Sequence, residues 1–519
     1  MLVCLFCFNF GFEVGNLKKI KKKNVVLIFT DNQQASTLGC YGNEEIHTPN
    51  LDLLSQRSFT FNNAFCPNAF CSPCRASVLT GLLPSQHGVH SWIDDRKSNE
   101  WPIGWHALDG LNTLPEILKS NGFETALIGK YHLGEPKTPM RGFDHWVTMA
   151  DGHVRSFFRN EIFENGSNYF HEGHSVDFFT SKAVSFLKKN TNNEKPFFLY
   201  LPYPAPYGHW PATKEKDECR HSERYKDCAM NSIPRENLSR EAIKNYDMVK
   251  SQSGKGMDYS MLLRAPNDLD TLRNYYAQIS MVDDGVGEII STLDDLSLMD
   301  DTLFIFTADH GLSVGQHGFW GHGAATFPSN LHKAAHSVPM IIRNGDDTKI
   351  GQRSDLMVSN MDIFSTILDV TKIEQIDDSI SVPSRSLLPI LSDQITDWGQ
   401  DAVFSEQEET RVVRTQKFVY FKRFKESKKF NLDDELFDVE NDPKEQKNLI
   451  NEPHYLVVKN KLDQLLENFF KTYSHSKADL WNGGKSLQNS TRKTLWKNAW
   501  GDDWEPVYQY NSEVEKSLE

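Results

Sequence analysis

Short apolar runs alternate with longer amphipathic segments along most of the chain, beginning at Asn24. The first run, NVVLIFTD, is short, continuous and rich in β-branched residues, which predicts a buried strand over Asn24–Asp31. A helical pattern covers Leu272–Leu296. Further strand-like runs lie in ETALIGKYHLG (Glu124–Gly134), PFFLYLPYPAP (Pro196–Pro206), DTLFIFTADHG (Asp301–Gly311) and VPMIIR (Val338–Arg343). This alternation predicts an α/β fold with a large, mainly parallel (mixed) sheet sandwiched by helices.

Polar residues with useful chemistry follow four of these runs, at the points where the predicted strands end. They are Asp31 and Asn32, Lys130 and His132, His209, and Asp309 and His310. In open α/β sheets, ligands bind outside the carboxyl ends of the strands. The pattern therefore predicts that four separate segments meet at one edge of the sheet and form a single site.

A different pattern begins near Trp398. Residues Ala402–Phe424 alternate like antiparallel strands, Glu435–Leu449 has the pattern of a strand and a turn, and His454–Tyr473 is an amphipathic helix. The stretch after Ser474 is polar with scattered tryptophans, which need apolar cover. We predict four segments: an N-terminal apolar and basic segment (1–23), an α/β domain (24–397), a smaller C-terminal α+β domain (398–473) and an extension that packs on the body (474–519).

The charge of the chain limits its partners. The 519 residues carry a formal net charge of −14, which argues against nucleic acid because phosphate neutralisation needs basic surface. No apolar run approaches the ~18 residues of a membrane span, so we expect no membrane-spanning segment. Eight cysteines in this length are not a disulfide scaffold, and a Cys219–Cys228 pair stays an open alternative.

The first twelve residues, MLVCLFCFNFGF, are apolar over about the length of a signal h-region, but the basic residues follow this run instead of preceding it. We interpret residues 1–23 as an export signal or, as the alternative, an unstructured tail. A secreted, periplasmic or secretory-pathway location is expected in preference to a cytoplasmic one.

One stretch, FCPNAFCSPCRASVLTG, holds Cys66, Cys71 and Cys74. Their spacing begins a plant-type iron–sulfur pattern, but the next cysteine, Cys219, lies in sequence of ordinary fold type. Pro73 fits the first position of a helix, which places Cys71 at a helix N-terminus beside Arg75. Both features stabilise an anion. Cys71 is therefore predicted to be a reaction centre and not a core residue.

The stretch CSPCRASVLTG resembles the signature C-x-P-x-R, with T-G downstream, of the sulfatase family within the alkaline-phosphatase-like superfamily. The resemblance continues, in the expected order, through GKYHLG (Gly129–Gly134), APYGHWP (Ala205–Pro211), TADHG (Thr307–Gly311) and ELFDVENDPKE (Glu435–Glu445). One motif alone is weak evidence for a family, whereas five motifs in the expected order are specific evidence. The resemblance implies an alkaline-phosphatase-like fold, the two-domain layout and a sulfuric ester hydrolase activity.

In that family the signature cysteine is oxidised to Cα-formylglycine, so the resemblance implies this change at Cys71 and a formylglycine-generating enzyme as a partner during maturation. It also implies a divalent cation, Ca²⁺ with Mg²⁺ as the alternative, since oxygen ligands suit these ions. The implied ligands are Asp31, Asn32, Asp309, His310 and the formylglycine oxygen at Cys71. The family usually has a second Asp where this chain has Asn32, and so the site loses one negative charge.

The remaining motif residues match the sulfate-contacting and proton-transfer residues of the family. The implied reaction is covalent catalysis with general acid–base assistance: a hydroxyl of the formylglycine hydrate attacks sulfur while His209 protonates the leaving alcohol. His132 then removes a proton from the remaining hydroxyl, and sulfate leaves. Arg75 would orient the diol, and Lys130 would bridge the charges of metal and sulfate.

The chain departs from the family where Lys is common after GQHGFWG, because it has His322 there. A histidine is charged only part of the time near neutral pH, so activity is expected to fall more steeply with rising pH than in a relative with Lys. Lys333, slightly downstream, is the alternative sulfate contact. The pair in HKAAH (His332–His336) lacks the Glu of a zinc protease and predicts only a helix near the rim of the site.

The resemblance implies hydrolysis of a sulfate ester, of a sulfated carbohydrate or an aryl sulfate. Two alternatives stay open at this point. One is a phosphonate or phosphate ester hydrolase of the same superfamily, because a metal with a nucleophile serves either ester. The other is a non-catalytic, glycan-binding relative in which Cys71 is unmodified.

Overall fold

A ten-stranded mixed sheet forms the centre of the structure, a computed structural model that describes residues 22–191, 195–208, 218–234, 268–345, 349–374, 381–392, 401–430 and 432–510, with Ile243 and Asp247 in addition. The strand order is β12-β2-β11-β8-β1-β7-β3-β4-β5-β6. Only β11 and β5 run against the other strands of this sheet. The strands are β1 (Asn24–Asp31), β2 (Phe59–Phe65), β3 (Glu124–Gly129), β4 (His145–Met149), β5 (Asn160–Glu164), β6 (Ser167–His171), β7 (Phe197–Pro206), β8 (Thr302–Ala308), β9 (Ser313–Val314), β10 (Trp320–Gly321), β11 (Met340–Asn344), β12 (Arg353–Ser359), β13 (Ala402–Gln407), β14 (Thr410–Thr415), β15 (Phe418–Arg423) and β16 (Glu435–Asp438).

Helices cover both faces of this sheet. Residues Val25, Leu27 and Phe29 of β1 join the core on one face, and Val26 and Ile28 join the core on the other, because successive side chains of a strand point to opposite sides. Burial on both faces explains why β1 is apolar without alternation. The helices are α1 (Pro49–Gln56), α2 (Cys71–Thr80), α3 (Pro84–His87), α4 (Leu114–Ser120), α5 (Ser175–Asn190), α6 (Ser222–Tyr225), α7 (Leu269–Asp295), α8 (Lys333–His336), α9 (Ile363–Val370), α10 (Leu388–Leu391), α11 (Leu456–Tyr473) and α12 (Lys493–Trp500).

A second, smaller sheet is antiparallel, in the order β13-β14-β15-β16. One of its faces packs on the main core through Val412, Val419 and Phe421, and the other packs under α11 through Val413 and Tyr420. The structure therefore shows the large mixed sheet between helices and the smaller C-terminal α+β unit that the pattern predicted. The boundary between residues 397 and 398 stays a prediction, since residues 393–400 lie outside the described residues.

The C-terminal extension runs back over this unit. Trp496 and Trp504 are buried and pack in one cluster with Phe424, the residue after β15, while Trp481 and Trp500 are partly buried and pack against that cluster. Burial of these indoles accounts for the four tryptophans in a mainly polar stretch.

Two local predictions differ from the structure. Helix α2 begins at Cys71, so Pro73 is its third residue and not its first. The pattern assigned no strand to residues 151–173, but they contain the antiparallel strands β5 and β6, which are mostly exposed or half-buried and therefore lack an apolar period. Cys219 and Cys228 are free thiols in the structure. Of the predicted export segment, residues 1–23, the first 21 lie outside the described residues. Within the described part of the chain, no helix is long and apolar enough to cross a membrane.

Candidate active site

The candidate site lies at the carboxyl ends of two adjacent parallel strands. Strand β1 pairs with β8 in register from Asn24 and Thr302 to Thr30 and Ala308, so that Asp31 and Asp309 leave the sheet side by side. The backbone N–H of Asp309 donates to the carbonyl of Thr30 at 2.9 Å and continues the pairing by one residue. Residues almost 280 positions apart in the chain are therefore brought together by a simple parallel register.

Cys71, the first residue of α2, completes a compact group with these two carboxylates and His310. We call Asp31, Cys71, Asp309 and His310 the Cys71 cluster. One ligand-type atom from each lies within 4.8 Å of the others, and all four residues are buried. The thiol Sγ lies 3.6 Å from Oδ1 of Asp31 and 3.5 Å from Nε2 of His310.

Local hydrogen bonds set the orientation of His310. Its Nδ1 donates to the carbonyl of Gly311 at 2.7 Å, and so the lone pair is on Nε2, which faces the Cys71 cluster. A histidine that donates one ring N–H to a carbonyl and presents the other nitrogen is the usual arrangement for a metal ligand.

Two fully buried cations, Arg75 and Lys130, balance the carboxylates. The guanidinium of Arg75 donates to Oδ2 of Asp309 at 2.9 Å, lies 3.4 Å from Oδ2 of Asp31 and donates to the backbone carbonyl of Lys130 at 2.9 Å. The ammonium group of Lys130 pairs with Asp31 and lies 4.8 Å from the centre of the Tyr207 ring. These contacts fix both cations at the cluster, because both side chains are fully buried beside the carboxylates.

The pKa values show how strongly the charges interact. Burial and the facing Asp309 raise the pKa of Asp31, against the opposing effect of Lys130 and Arg75. Burial would also raise the pKa of Asp309, but His310, Arg75 and Lys130 together hold it below its usual range. Burial and Asp31 raise the pKa of the Cys71 thiol well above its ordinary value, so the thiol is protonated at neutral pH. The anion-stabilising environment expected at Cys71 is therefore outweighed, and an unmodified thiol here is a poor nucleophile.

Asn32 points to a ligand at this cluster. Its backbone is in the left-handed region, with φ of 62°, and its N–H donates to Oδ1 of Asp309 at 3.1 Å. Both polar atoms of its side chain are buried without a hydrogen-bond partner. Buried amide groups are normally paired, so an unpaired amide oxygen on the residue that follows Asp31 and is hydrogen-bonded to Asp309 fits a divalent cation with oxygen ligands.

His132 lies against the Lys130 side of the site and is held in one tautomer. Its Nε2 donates to the carbonyl of Ile93 at 3.0 Å, and its Nδ1 is buried without a partner. Burial, Lys130 and His153 lower the pKa of His132 well below its ordinary value. His132 is therefore neutral near pH 7 and carries a lone pair on Nδ1, which is the state of a general base.

A short segment after β4 packs directly on the His132 ring. A Cβ on Gly152 would lie 1.9 Å from the ring, so only glycine fits there, and the ring of His153 lies edge-on at 5.0 Å. The carboxylate of Asp95 holds this segment by accepting from the backbone N–H groups of Gly152 and His153 at 3.0 and 3.1 Å. Asp95 and His153 were not foreseen from the sequence, since no motif marks them, and Tyr207 lies in the motif APYGHWP but was given no role.

The other residues predicted for sulfate contact differ in position. His322 stacks on His310, with ring centres 4.1 Å apart, and its Nδ1 donates to the carbonyl of Ala69 at 2.8 Å. Lys333 lines a separate cavity of about 850 Å³ with Gln316 and His317, and the Cys71 cluster is not part of that lining. His209 lies outside the described residues.

Comparison with known proteins shows what this chain is similar to in sequence. A sequence model described as Sulfatase matches residues 23–373, and one described as N-sulphoglucosamine sulphohydrolase, C-terminal, matches residues 318–472. The chain is 24% identical over 523 residues to the N-acetylglucosamine-6-O-sulfatase of Bacteroides thetaiotaomicron, covering 89% of this chain and 88% of that protein. It is 26% identical over 522 residues to an arylsulfatase of Clostridium perfringens, covering 91% of this chain and 99% of that protein.

The fold also matches solved structures. One is a complex of a protein with its substrate D-glucosamine-2-N,6-O-disulfate, which this chain matches with a TM-score of 0.69 at 24% identity, covering 87% of this chain and 98% of that chain. The match to the Sulfatase model extends over well more than half of the chain. The chain therefore belongs to the sulfatase family, a family of sulfuric ester hydrolases.

Proposed function

We propose that the protein hydrolyses the sulfate ester of a sulfated sugar, with Cα-formylglycine formed from Cys71 as the nucleophile and with Ca²⁺, or Mg²⁺ as the alternative, held by Asp31, Asn32, Asp309 and His310. The observation that carries the proposal is the Cys71 cluster itself, in which a signature cysteine, two carboxylates and an oriented imidazole lie within 4.8 Å of one another. Arg75 and Lys130 supply positive charge at the same place.

The chemistry of the implied groups suits the reaction. When bound, the cation would polarise the sulfate group of the substrate. The formylglycine hydrate would supply an oxygen nucleophile. The residues of the chain would do the rest. Asp31 and Asp309 offer carboxylate oxygens and Asn32 offers its unpaired amide oxygen, while Arg75 orients the group at position 71 and keeps the carboxylates in place.

Proton transfer is assigned to two histidines. His132 would accept a proton at Nδ1, because Nε2 is committed to the carbonyl of Ile93 and Nδ1 has no other partner. Its lowered pKa keeps it unprotonated at neutral pH until it takes up that proton. His209 is proposed as the proton donor to the leaving alcohol, on the resemblance of APYGHWP to the family motif.

Contact with the substrate is assigned to Lys130, His209 and His322, with Lys333 as the alternative to His322. His322 is the better supported of these last two, because it stacks on His310 of the Cys71 cluster, whereas Lys333 lines another cavity. An amino sugar is the proposed substrate class, since the similar proteins include an N-acetylglucosamine-6-O-sulfatase and a complex with a disulfated glucosamine.

The test combines mass spectrometry with paired assays. The protein would be produced with a formylglycine-generating enzyme, and the peptide that contains Cys71 would be analysed for a loss of about 18 Da, the change from thiol to aldehyde that activates this nucleophile. The modified protein is expected to release sulfate from N-acetylglucosamine 6-sulfate in the presence of Ca²⁺ and to lose this activity in a chelator.

Two outcomes would contradict the proposal. Faster turnover of an aryl phosphate or phosphonate than of every sulfate ester would favour the phosphonate or phosphate hydrolase alternative. An unmodified thiol together with binding of a sulfated sugar but no turnover would favour the glycan-binding alternative.

A further inference from the structure

A second group of metal-ligating side chains lies outside the Cys71 cluster. We call His317, His332 and Glu445 the His332 cluster. One ligand-type atom from each lies within 4.8 Å of the others. His317 is in the turn Gln316–Gly318 after β9, His332 immediately precedes α8, and Glu445 is in the turn after β16. Three separate segments therefore converge, two from the large unit and one from the small C-terminal unit.

We propose that the His332 cluster is a zinc-type metal site that ties the segment following β9 to the C-terminal unit. Two imidazoles and one carboxylate form a ligand set typical of Zn²⁺, in which the fourth position is taken by water. This set is richer in nitrogen than the proposed ligand set of the Cys71 cluster, in which Asn32 and the formylglycine formed from Cys71 make oxygen donors predominate, so the two clusters should select different ions.

The spacing of the donor atoms suits this ligand set. Zinc bonds of about 2.0–2.1 Å in tetrahedral geometry place ligand atoms about 3.3 Å apart. Nδ1 of His332 and Oε2 of Glu445 are hydrogen-bonded at 3.1 Å, so an ion would take the place of the proton between them. The ring of His317 is stacked on that of His332, with centres 4.1 Å apart, and it would turn out of the stack to point its lone pair at the same ion.

Each proposed ligand also has an outer partner that holds it in position. The other nitrogen of His332, Nε2, lies 3.6 Å from Oε2 of Glu435. His317 has the backbone carbonyl of Lys444 as a hydrogen-bond partner. The second oxygen of Glu445, Oε1, pairs with Arg414. Carboxylates and carbonyls behind histidine ligands are the recurring outer contacts of zinc sites.

The cluster is closed on one side and open on the other. The rings of Phe421 and Phe437 pack around His332 at centre distances of 5.0 and 5.5 Å. On the other side, His317 lines the cavity of about 850 Å³ together with Lys333 and Lys444. This cavity offers an entry path for the ion and room for the water at the fourth position.

The test is metal binding by the full chain, measured without substrate. To remove the nitrogen and sulfur donors of the Cys71 cluster, the measurements use a Cys71→Ala, His310→Ala background with Ca²⁺ in excess. Zn²⁺ is added in a calorimetric titration, and Co²⁺ is added in parallel to record its ligand-field absorption. We expect one equivalent of Zn²⁺ and the intense visible bands of tetrahedral Co²⁺.

Three further variants define the site. His317→Ala should weaken Zn²⁺ binding by at least about 100-fold because it removes a ligand. Glu435→Gln should weaken it by about 10- to 100-fold because it removes an outer partner. His454→Ala, at an exposed histidine of the same C-terminal unit, is the control and should bind as tightly as the background.

Thermal unfolding separates loss of the site from loss of the fold. Zn²⁺ should raise the Tm of the background and not that of the His317→Ala variant, while the two metal-free Tm values agree. If the Cys71→Ala, His310→Ala background does not fold, the Tm values with and without Zn²⁺ are compared between the wild type and the single variant His317→Ala instead. Absence of a Zn²⁺ equivalent, or an equivalent retained in His317→Ala, would overturn the proposal and leave His332, Glu445 and Arg414 as an ion-pair network. Because no turnover is measured, the result stands apart from the proposed sulfatase mechanism.

Discussion

Two buried groups of charged side chains use similar residue types and differ in how completely their polar atoms are paired. In the first, the Cys71 cluster with Asn32, Arg75 and His132, several polar atoms have no partner: both on Asn32, Nε of Arg75 and Nδ1 of His132. In the second, which we call the Glu409 network, Glu408, Glu409 and Arg492 join the small sheet to the C-terminal extension, and every polar side-chain atom of the three is hydrogen-bonded.

The pairing in the Glu409 network is dense. Arg492 donates from Nε to Glu409 at 2.9 Å and from Nη2 to the carbonyl of Thr326 at 2.7 Å. Glu408 accepts from the backbone of Thr491 at 2.8 Å and from the indole of Trp496 at 3.2 Å. Although burial alone would raise the pKa of Glu409, Arg492 and Arg423 lower it.

This difference distinguishes buried charges that stabilise the fold from buried charges that serve binding or catalysis. A fully paired buried network holds elements together, and breaking it leaves an uncompensated charge. A partly paired network costs free energy in the ligand-free protein, and such a cost is expected where a substrate or ion completes the pairing. The predictions below test this contrast, beginning with the largest expected effect.

Replacing Cys71 by Ala should abolish turnover of the sulfate ester while leaving the fold intact. Loss of a covalent nucleophile is expected to lower kcat by at least about 10⁴-fold. The free energy of unfolding should change by no more than about 1 kcal/mol, the size of one deleted buried atom group. Sulfate release and urea denaturation measure the two quantities, and a variant that keeps more than a hundredth of the wild-type kcat would remove Cys71 from the mechanism.

Replacing Glu409 by Ala should have the opposite profile. Arg492 would remain buried without its carboxylate partner, so the free energy of unfolding should fall by about 3–5 kcal/mol. The kcat of the protein that remains folded should stay within about twofold of wild type. Urea denaturation checks the first part and active-site-normalised assays the second. A Glu409→Ala variant that is as stable as the wild type but has a low kcat would show that the Glu409 network serves catalysis. It would contradict the distinction between the two groups of buried charges.

Replacing Asp309 by Asn should weaken metal binding and should also lower the stability of the metal-free protein. The change removes a proposed ligand and the carboxylate that pairs with the buried Arg75, and the lowered pKa of Asp309 shows that the fold favours its charged form. Wild-type protein should gain about 2.7 kcal/mol of stability in Ca²⁺ at 100 times its Kd, and the variant should gain little at the same concentration. Thermal unfolding with Ca²⁺ and with chelator gives both numbers. Equal stabilisation of the two proteins would place the ion elsewhere.

His90 gives the smallest effect and tests the junction between the large unit and the extension. Its Nε2 donates to the carbonyl of Ala478 at 2.7 Å, and burial lowers its pKa to about 4. As pH falls, the unfolded chain takes up a proton near pH 6.5 and the folded chain does not, so stability is lost from pH 6.5 towards pH 4. Between pH 6.5 and 5.5 this loss is about 1 kcal/mol.

The matched variant for this pH effect is His90→Gln, which keeps a donor for Ala478 and does not titrate. Its free energy of unfolding should change by about 1 kcal/mol less than that of the wild type over the same pH range, measured by urea denaturation. Identical slopes in the two proteins would show that His90 does not contribute, and the other buried histidines would then account for any loss at low pH.

Much of the architecture followed from local pattern. The strand at Asn24–Asp31 has the predicted bounds, because a short, continuous run rich in β-branched residues fits a strand buried on both faces and is too short for a core helix. The helix predicted at Leu272–Leu296 is α7, within three residues at its start and one at its end. The strands β5 and β6 were missed, since residues such as Ser167 and Asn168 are exposed and polar and carry no apolar period.

The sequence by itself determined which residues are available for chemistry: a motif order typical of sulfatases, a cysteine beside Arg75, and acidic or basic residues at strand ends. Only the tertiary structure decided the protonation and the orientation of these residues. The lone pair of His132 is on Nδ1 because Ile93 takes the other nitrogen, and the Cys71 thiol is protonated because Asp31 faces it in a buried site. Likewise, His317, His332 and Glu445 form a cluster only because two units pack together. Protonation and ligand geometry depend on neighbours far apart in the chain, and no local pattern encodes those neighbours.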